Sequence, residues 1–112
     1  STAVRARETW ALVAKELRCN PETRFEDALY LPATLILLVH LREAGAASPV
    51  LMVGHNPGHE EFARRLVARG EGPIDSFPTA GLAEIAFDID DWENVDFGIG
   101  RLVRFIKPRD LE

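Results

Sequence analysis

Three stretches of this chain carry apolar residues among polar ones at helix-like spacing. Residues 4–17 contain neither proline nor glycine, and their pattern predicts a first helix. A second helix is predicted for the apolar stretch 35–41, with Pro32 in its first turn and Gly45 closing it. The third predicted helix, residues 60–68, begins with acidic side chains, which the positive end of a helix dipole favours.

Three further stretches are predicted to be strands. Residues 49–53 form a continuous apolar run between Ser48 and Gly54, which is typical of a strand buried on both faces. We therefore expect a central parallel strand there. Residues 82–88 alternate only partly, whereas apolar and basic residues alternate along 101–106, and together they predict an antiparallel pair at the sheet edge.

The order of these elements predicts an α/β layered domain. A chain of 112 residues has the size of one domain, or of part of one. The sheet is expected to be incomplete, because most sheets have roughly four to six strands and only three are predicted here. The chain opens on Ser1 without an initiator methionine, so we expect that a tag or an N-terminal segment has been removed.

Composition narrows the possible partners. The formal net charge of -5, with no block of arginines, disfavours nucleic acid as a partner. Cys19 is the single cysteine, which excludes an internal disulfide and a multi-cysteine metal site and favours a reducing, cytoplasmic setting. The longest apolar run, residues 35–39, is far too short to span a bilayer, so we expect no membrane partner either.

The strongest local signal for chemistry is His55, which lies between the predicted strand 49–53 and the third predicted helix. The carboxyl end of a strand in an open α/β sheet is where ligands bind, and a helix start presents unpaired N–H groups to an anion. This position favours a phosphate site. The alternative is that the His55 ring only caps the turn, and position alone leaves both interpretations open.

The other two histidines are weaker candidates. His59 follows His55 by four residues, but Pro57 and Gly58 lie between them and indicate that the helix has not yet begun, which disfavours a zinc site. His40 lies within the apolar second helix and is interpreted as structural.

Two arginines, Arg5 and Arg7, lie near the start of the first predicted helix. Arginines in a helix usually form solvated ion pairs, here with Glu8 or Glu16. The functional alternative is a bidentate phosphate clamp, because the guanidinium fork matches the oxygens of a phosphoryl group.

Four segments occur in a characteristic order and are distributed over nearly the whole length of the chain: STAVRARET at 1–9, VLMVGHNPG at 50–58, FPTAGLA at 77–83 and GRLVRFIKPRDL at 100–111. Together they resemble the SixA-like phosphohistidine phosphatases, a branch of the histidine phosphatase superfamily. The resemblance implies an α/β fold of the three-layer, phosphoglycerate mutase-like kind, with a sheet flanked by helices. Residues 1–112 would be the C-terminal part of that single domain, with its N-terminal strands missing.

The resemblance also implies a mechanism and its residues. In that family a histidine of an N-terminal Arg-His-Gly motif attacks phosphorus and forms a phosphohistidine intermediate, which water then hydrolyses. A second histidine and two arginines bind the phosphoryl oxygens and stabilise charge. By the resemblance, Arg5 is one of these arginines and His55 is the second histidine. Asn56 would offer its backbone N–H to the phosphate, Thr79 would lie near the pocket rim, and no metal or other cofactor is implied.

The chain departs from this family in one respect, since no Arg-His pair occurs in it. We expect the natural protein to be longer and this chain alone to be inactive. Glu26 and Asp27 lie where other members carry an acid, but the SixA branch often lacks it, and neither is assigned as a catalyst. The expected substrate is a phosphorylated protein or a small phosphorylated molecule. The alternatives are a non-catalytic module that binds phosphate or a partner, and a structural fragment that dimerises through an open sheet edge.

Overall fold

The computed structural model describes residues 1–17, 21–27, 33–72, 74 and 77–111. Within these ranges it contains three α-helices, one pair of β-strands and two short 3₁₀ helices. In chain order the helices and strands are α1 (Val4–Glu16), α2 (Thr34–Arg42), α3 (Gly58–Leu66), β1 (Leu82–Ala86) and β2 (Arg101–Ile106). The 3₁₀ helices are Trp92–Asn94 and Pro108–Leu111.

The first two predicted helices are confirmed. Helix α1 ends one residue before the predicted boundary, where the N–H of Leu17 bonds to the carbonyl of Ala14. After α2 the chain turns at Gly45, whose φ of 63° is a left-handed conformation that glycine adopts without strain. The predicted place of Pro32 lies outside the described residues. None of the described helices is long and apolar enough to cross a membrane.

The prediction of a central parallel strand at residues 49–53 is wrong for the described structure, in which these residues pair with no strand. The apolar pattern nevertheless reflects burial, because Val50 and Met52 pack against the core while Leu51 is 49% exposed. A strand exists only where a neighbouring backbone accepts and donates its hydrogen bonds. A run of apolar residues indicates burial, but it does not indicate whether a second strand lies alongside.

The predicted antiparallel pair is confirmed. Strand β1 pairs with β2 in a register that aligns Leu82 with Ile106, and the register shifts after Glu84. The shift leaves Val103 as the extra residue of a β-bulge, which bends an edge ribbon locally. Among the described residues the result is a mixed α/β arrangement of three helices and one two-stranded antiparallel sheet.

The core lies between α2 and α3. Leu37 and Leu38 of α2 are fully buried, as is Val95 just after the first 3₁₀ helix. They form one cluster with Leu41, Phe62 and Leu66, and the partly buried side chains that surround it include Ile85, Phe87 and Trp92. This cluster therefore fixes the position of α3 through Phe62 and Leu66. The candidate site lies at the N-terminus of α3.

A second connection ties the end of α3 to the start of β2. The N–H of Gly100 donates to the carbonyl of Leu66 at 2.7 Å, and the N–H of Ala68 donates to the carbonyl of Gly100 at 2.7 Å. These bonds form a parallel bridge between Val67 and Gly100. The bridge attaches the β-ribbon to the helix that follows His55.

Candidate functional site

His55 lies in the turn that leads directly into α3. The N–H of His59 donates to the carbonyl of His55 at 3.0 Å, an i to i−4 helical bond, and α3 begins at Gly58. The predicted start at Glu60 was therefore two residues late, and the inference that no helix had begun at Gly58 is wrong. Pro57 serves as the N-cap, where its missing N–H costs nothing because the first N–H groups of a helix lack intrahelical partners.

The structure places the side chain of Ser1 against His55. The Ser1 hydroxyl oxygen lies 3.1 Å from Nε2 of His55, across 54 residues of sequence, and also accepts from the N–H of Ala3 at 3.2 Å. The Ser1 ammonium donates to the carbonyl of Val53 at 3.3 Å, and burial lowers the pKa of that ammonium. These contacts hold the start of α1 beside the His55 turn.

Arg5 is the second residue of α1 and its side chain is exposed. Its neighbour Arg7 donates from Nε to the carbonyl of Thr2 at 2.9 Å. Among the described residues neither arginine forms the ion pair with Glu8 or Glu16 that is usual for such a helix. The side chain of Arg5 is thus exposed in the first turn of α1.

Asn56 and Thr79 are connected through the backbone of the later segment. The side-chain amide of Asn56 donates to the carbonyl of Phe77. Thr79 is exposed in the turn that follows, which is closed by the N–H of Gly81 donating to the carbonyl of Pro78 at 2.9 Å. The structure therefore brings this turn to His55 through the Asn56 side chain, although the resemblance assigned the backbone N–H of Asn56 to the site.

Glu60 contacts the later segment in a way that its sequence position did not predict. Its Oε1 accepts from the N–H of Phe77 at 2.6 Å, and Arg64 donates from Nε to the carbonyl of Ile74 at 2.8 Å. The signal that could have found it is the four-residue spacing of Asn56, Glu60 and Arg64, which places polar side chains along one side of a helix.

The acidic residues near the expected acid position lie close to the start of the chain. Asp27 accepts a hydrogen bond from the hydroxyl of Thr2 at 2.6 Å. Glu26 acts on Ser1 electrostatically, since its negative charge opposes the lowering of the ammonium pKa by burial. Both carboxylates thus act on the first two residues of the chain, and neither is assigned as a catalyst.

His59 packs under the His55 turn. Its Nε2 is buried and has no hydrogen-bond partner, and burial lowers its pKa to about 4, assisted by the positive charges of the Ser1 ammonium and of His55. A neutral ring is thus favoured there. No cluster of three or more histidine, cysteine, aspartate or glutamate side chains that could hold a metal occurs in the described part of the chain.

The His59 ring fills the space beside Gly54. A Cβ added at Gly54 would lie 2.0 Å from Nε2 of His59. We expect Gly54→Ala to destabilise the protein by about 2 kcal/mol, the usual cost of overpacking, because the ring has to move. Urea denaturation would measure this loss. In the His59→Ala background the same change should cost far less, and equal costs in both backgrounds would contradict the contact.

The site therefore combines an imidazole, a hydroxyl and a helix start. Arg5 lies on the first turn of the neighbouring helix α1 with its side chain exposed. Protonated imidazole and guanidinium groups donate charge-assisted hydrogen bonds to anions, and the guanidinium fork matches the oxygens of carboxylate and phosphate. The 112 residues contain no Arg-His pair. Searches with family models, curated proteins and solved structures found no match to this chain.

Proposed function

We propose that this chain supplies the second histidine and one phosphate-binding arginine of a SixA-like phosphatase that hydrolyses phosphohistidine or a small phosphomonoester. The observation that carries the proposal is the contact between the Ser1 hydroxyl and Nε2 of His55, at 3.1 Å. The segment that begins at Ser1 and the turn around His55 are the two parts that the resemblance assigns to one phosphate pocket. Their contact across the sequence supports that assignment.

Each residue has a defined part in the proposed reaction. The imidazole of His55 and the guanidinium of Arg5 bind phosphoryl oxygens and stabilise the negative charge that grows on them in the transition state. Thr79 lies at the rim of the pocket, and Asn56 offers its backbone N–H. No metal takes part, and the fold of the complete domain is of the three-layer, phosphoglycerate mutase-like kind.

The nucleophile in this proposal is a histidine of an Arg-His-Gly motif that these residues do not contain. Its nitrogen forms a bond to phosphorus while the bond from phosphorus to the substrate's nitrogen or oxygen breaks, and the leaving group takes up a proton. Water then attacks the phosphohistidine, which releases inorganic phosphate and regenerates the histidine. The present chain binds the phosphoryl group through both steps.

Phosphate binding by the chain itself is the first test. Titration with inorganic phosphate, followed by ¹H–¹⁵N NMR, should shift the ring signals of His55 and the Nε–H signal of Arg5. His55→Ala and Arg5→Ala should each weaken binding about tenfold or more, as expected for a lost charge-assisted hydrogen bond. Arg69→Ala removes the same charge at an exposed position beyond α3 and serves as the control. Equal weakening by all three variants would contradict the proposed site.

Turnover separates the enzyme from the alternative of a non-catalytic binding module. The chain alone should bind phosphate and hydrolyse nothing. The protein as encoded should hydrolyse phosphohistidine or a phosphomonoester, with kcat reduced roughly 10²- to 10³-fold in His55→Ala, the usual effect of losing one group that stabilises transition-state charge. Binding without turnover in the encoded protein would favour the module.

A further inference from the structure

Three polar side chains spaced four residues apart form hydrogen bonds to the backbone of Ile74 and Phe77. Asn56 donates to the carbonyl of Phe77, Glu60 accepts from the N–H of Phe77, and Arg64 donates to the carbonyl of Ile74. All three bonds reach main-chain atoms. Asn56 lies in the turn before α3, and Glu60 and Arg64 lie within it, so the donors and acceptors share one side of the same unit.

Glu60 is the centre of this arrangement. Its Oε1 receives the N–H of Phe77 at 2.6 Å and also the Nη2 of Arg64 at 3.4 Å. The Glu60 side chain is only 20% exposed, whereas the neighbouring Glu61 is an exposed residue of the same first turn. A hydrogen bond from a backbone N–H to a charged acceptor is stronger than one between neutral groups.

Both backbone polar groups of Phe77 form hydrogen bonds with the unit that carries His55: its carbonyl accepts from Asn56 and its N–H donates to Glu60. Its ring also contacts Phe105 of β2 edge-on, with 5.2 Å between the ring centroids. The turn with Thr79 begins directly after Phe77 and Pro78. The position of Thr79 relative to His55 is therefore set by bonds to the backbone of Phe77.

We propose that Glu60 is a positioning residue that fixes the segment 77–81 against the His55 turn and so sets the width of the phosphate pocket. As far as it concerns a pocket, the inference rests on the proposed function. The coupling between the His55 turn and the segment 77–81 does not rest on the proposed function, since it follows from the hydrogen bonds of Phe77 alone. Because the bonds reach only the backbone, the exposed side chain of Thr79 is left to contact the rest of the substrate.

Hydrogen exchange at the Phe77 amide tests the coupling directly. In Glu60→Ala this amide should exchange roughly 10- to 100-fold faster than in the unchanged protein, the loss expected for one hydrogen bond to a charged group. Glu60→Gln keeps an oxygen acceptor and should restore most of the protection. Glu61→Ala removes the same charge from the same turn and should leave the Phe77 amide unchanged.

The two controls are Glu61→Ala and the amide of Leu66. The amide of Leu66, inside α3, reports whether the helix as a whole has loosened. An equal rise at Leu66 and Phe77, or a fast Phe77 amide in Glu61→Ala, would overturn the inference, as would an unchanged rate in Glu60→Ala. Titration with inorganic phosphate then addresses the pocket, where Glu60→Ala should weaken binding more than Glu61→Ala does. If the unchanged protein binds no phosphate, the proposed function fails while the exchange result still decides the coupling.

Discussion

Replacing Gly100 with alanine should lower the free energy of unfolding by about 3 kcal/mol, the upper part of the usual range for overpacking. A Cβ at this position would lie 2.6 Å from Cγ2 of Ile85 and 2.8 Å from both the Leu66 carbonyl oxygen and Cε1 of Phe87. The carbonyl cannot rotate away, because it accepts the N–H of Gly100 in the bridge between α3 and β2. Thermal and urea denaturation would measure the loss, with a fall in Tm of roughly 10 °C.

Gly98→Ala is the matched control for this prediction. Gly98 has a φ of 76°, and nothing lies within 4 Å of an added Cβ. Alanine there should cost only the strain of a left-handed conformation, about 1 kcal/mol. Gly100 has no such left-handed φ, so its larger loss has to come from contact with Ile85, Leu66 and Phe87. Equal losses in both variants would contradict that contact.

The sequence predicted those elements whose pattern is local. Helix α1 and the pair of β1 with β2 were recovered because helical spacing and strand alternation report which face of an element is buried. The strand predicted at residues 49–53 does not form in the described structure. Its formation depends on a hydrogen-bonding partner that can be distant in sequence, which a local pattern does not report. Burial was predicted correctly for Val50 and Met52, which pack against the core without strand pairing.

In the candidate site, too, local features could be predicted and contacts between distant residues could not. His55 could be selected from the sequence because it follows an apolar run and precedes a helix. The contact of Ser1 with His55 could not be selected, because it joins residues 54 positions apart and depends on how α1 packs. The bond of Glu60 to Phe77 could not be predicted, because an acidic residue in the first turn of a helix is already explained by the helix dipole.

The stability of the protein should fall by about 3 kcal/mol between pH 7 and pH 4 because of His59, with about 1.4 kcal/mol for each unit of pKa difference. The pKa of His59 is lowered from 6.5 to about 4, first by burial and then by the Ser1 ammonium and His55. Between these two values the unfolded chain binds a proton that the folded chain does not. The contribution is fully present above about pH 6.5 and is lost as the pH falls toward 4.

Urea denaturation at several pH values would measure this slope, and NMR titration of the His59 ring would locate its pKa. His59→Leu has no group to titrate and should lose about 3 kcal/mol less over the same interval. His40→Gln removes a histidine from α2 and should keep the loss that belongs to His59. Since a proton on His59 would add charge under the His55 turn, the acid transition should disturb the signals of Gly54 and His55 before those of the α2 core. A ring pKa near 6.5, or an unchanged slope in His59→Leu, would show that the ring is hydrated and does not fill the space beside Gly54.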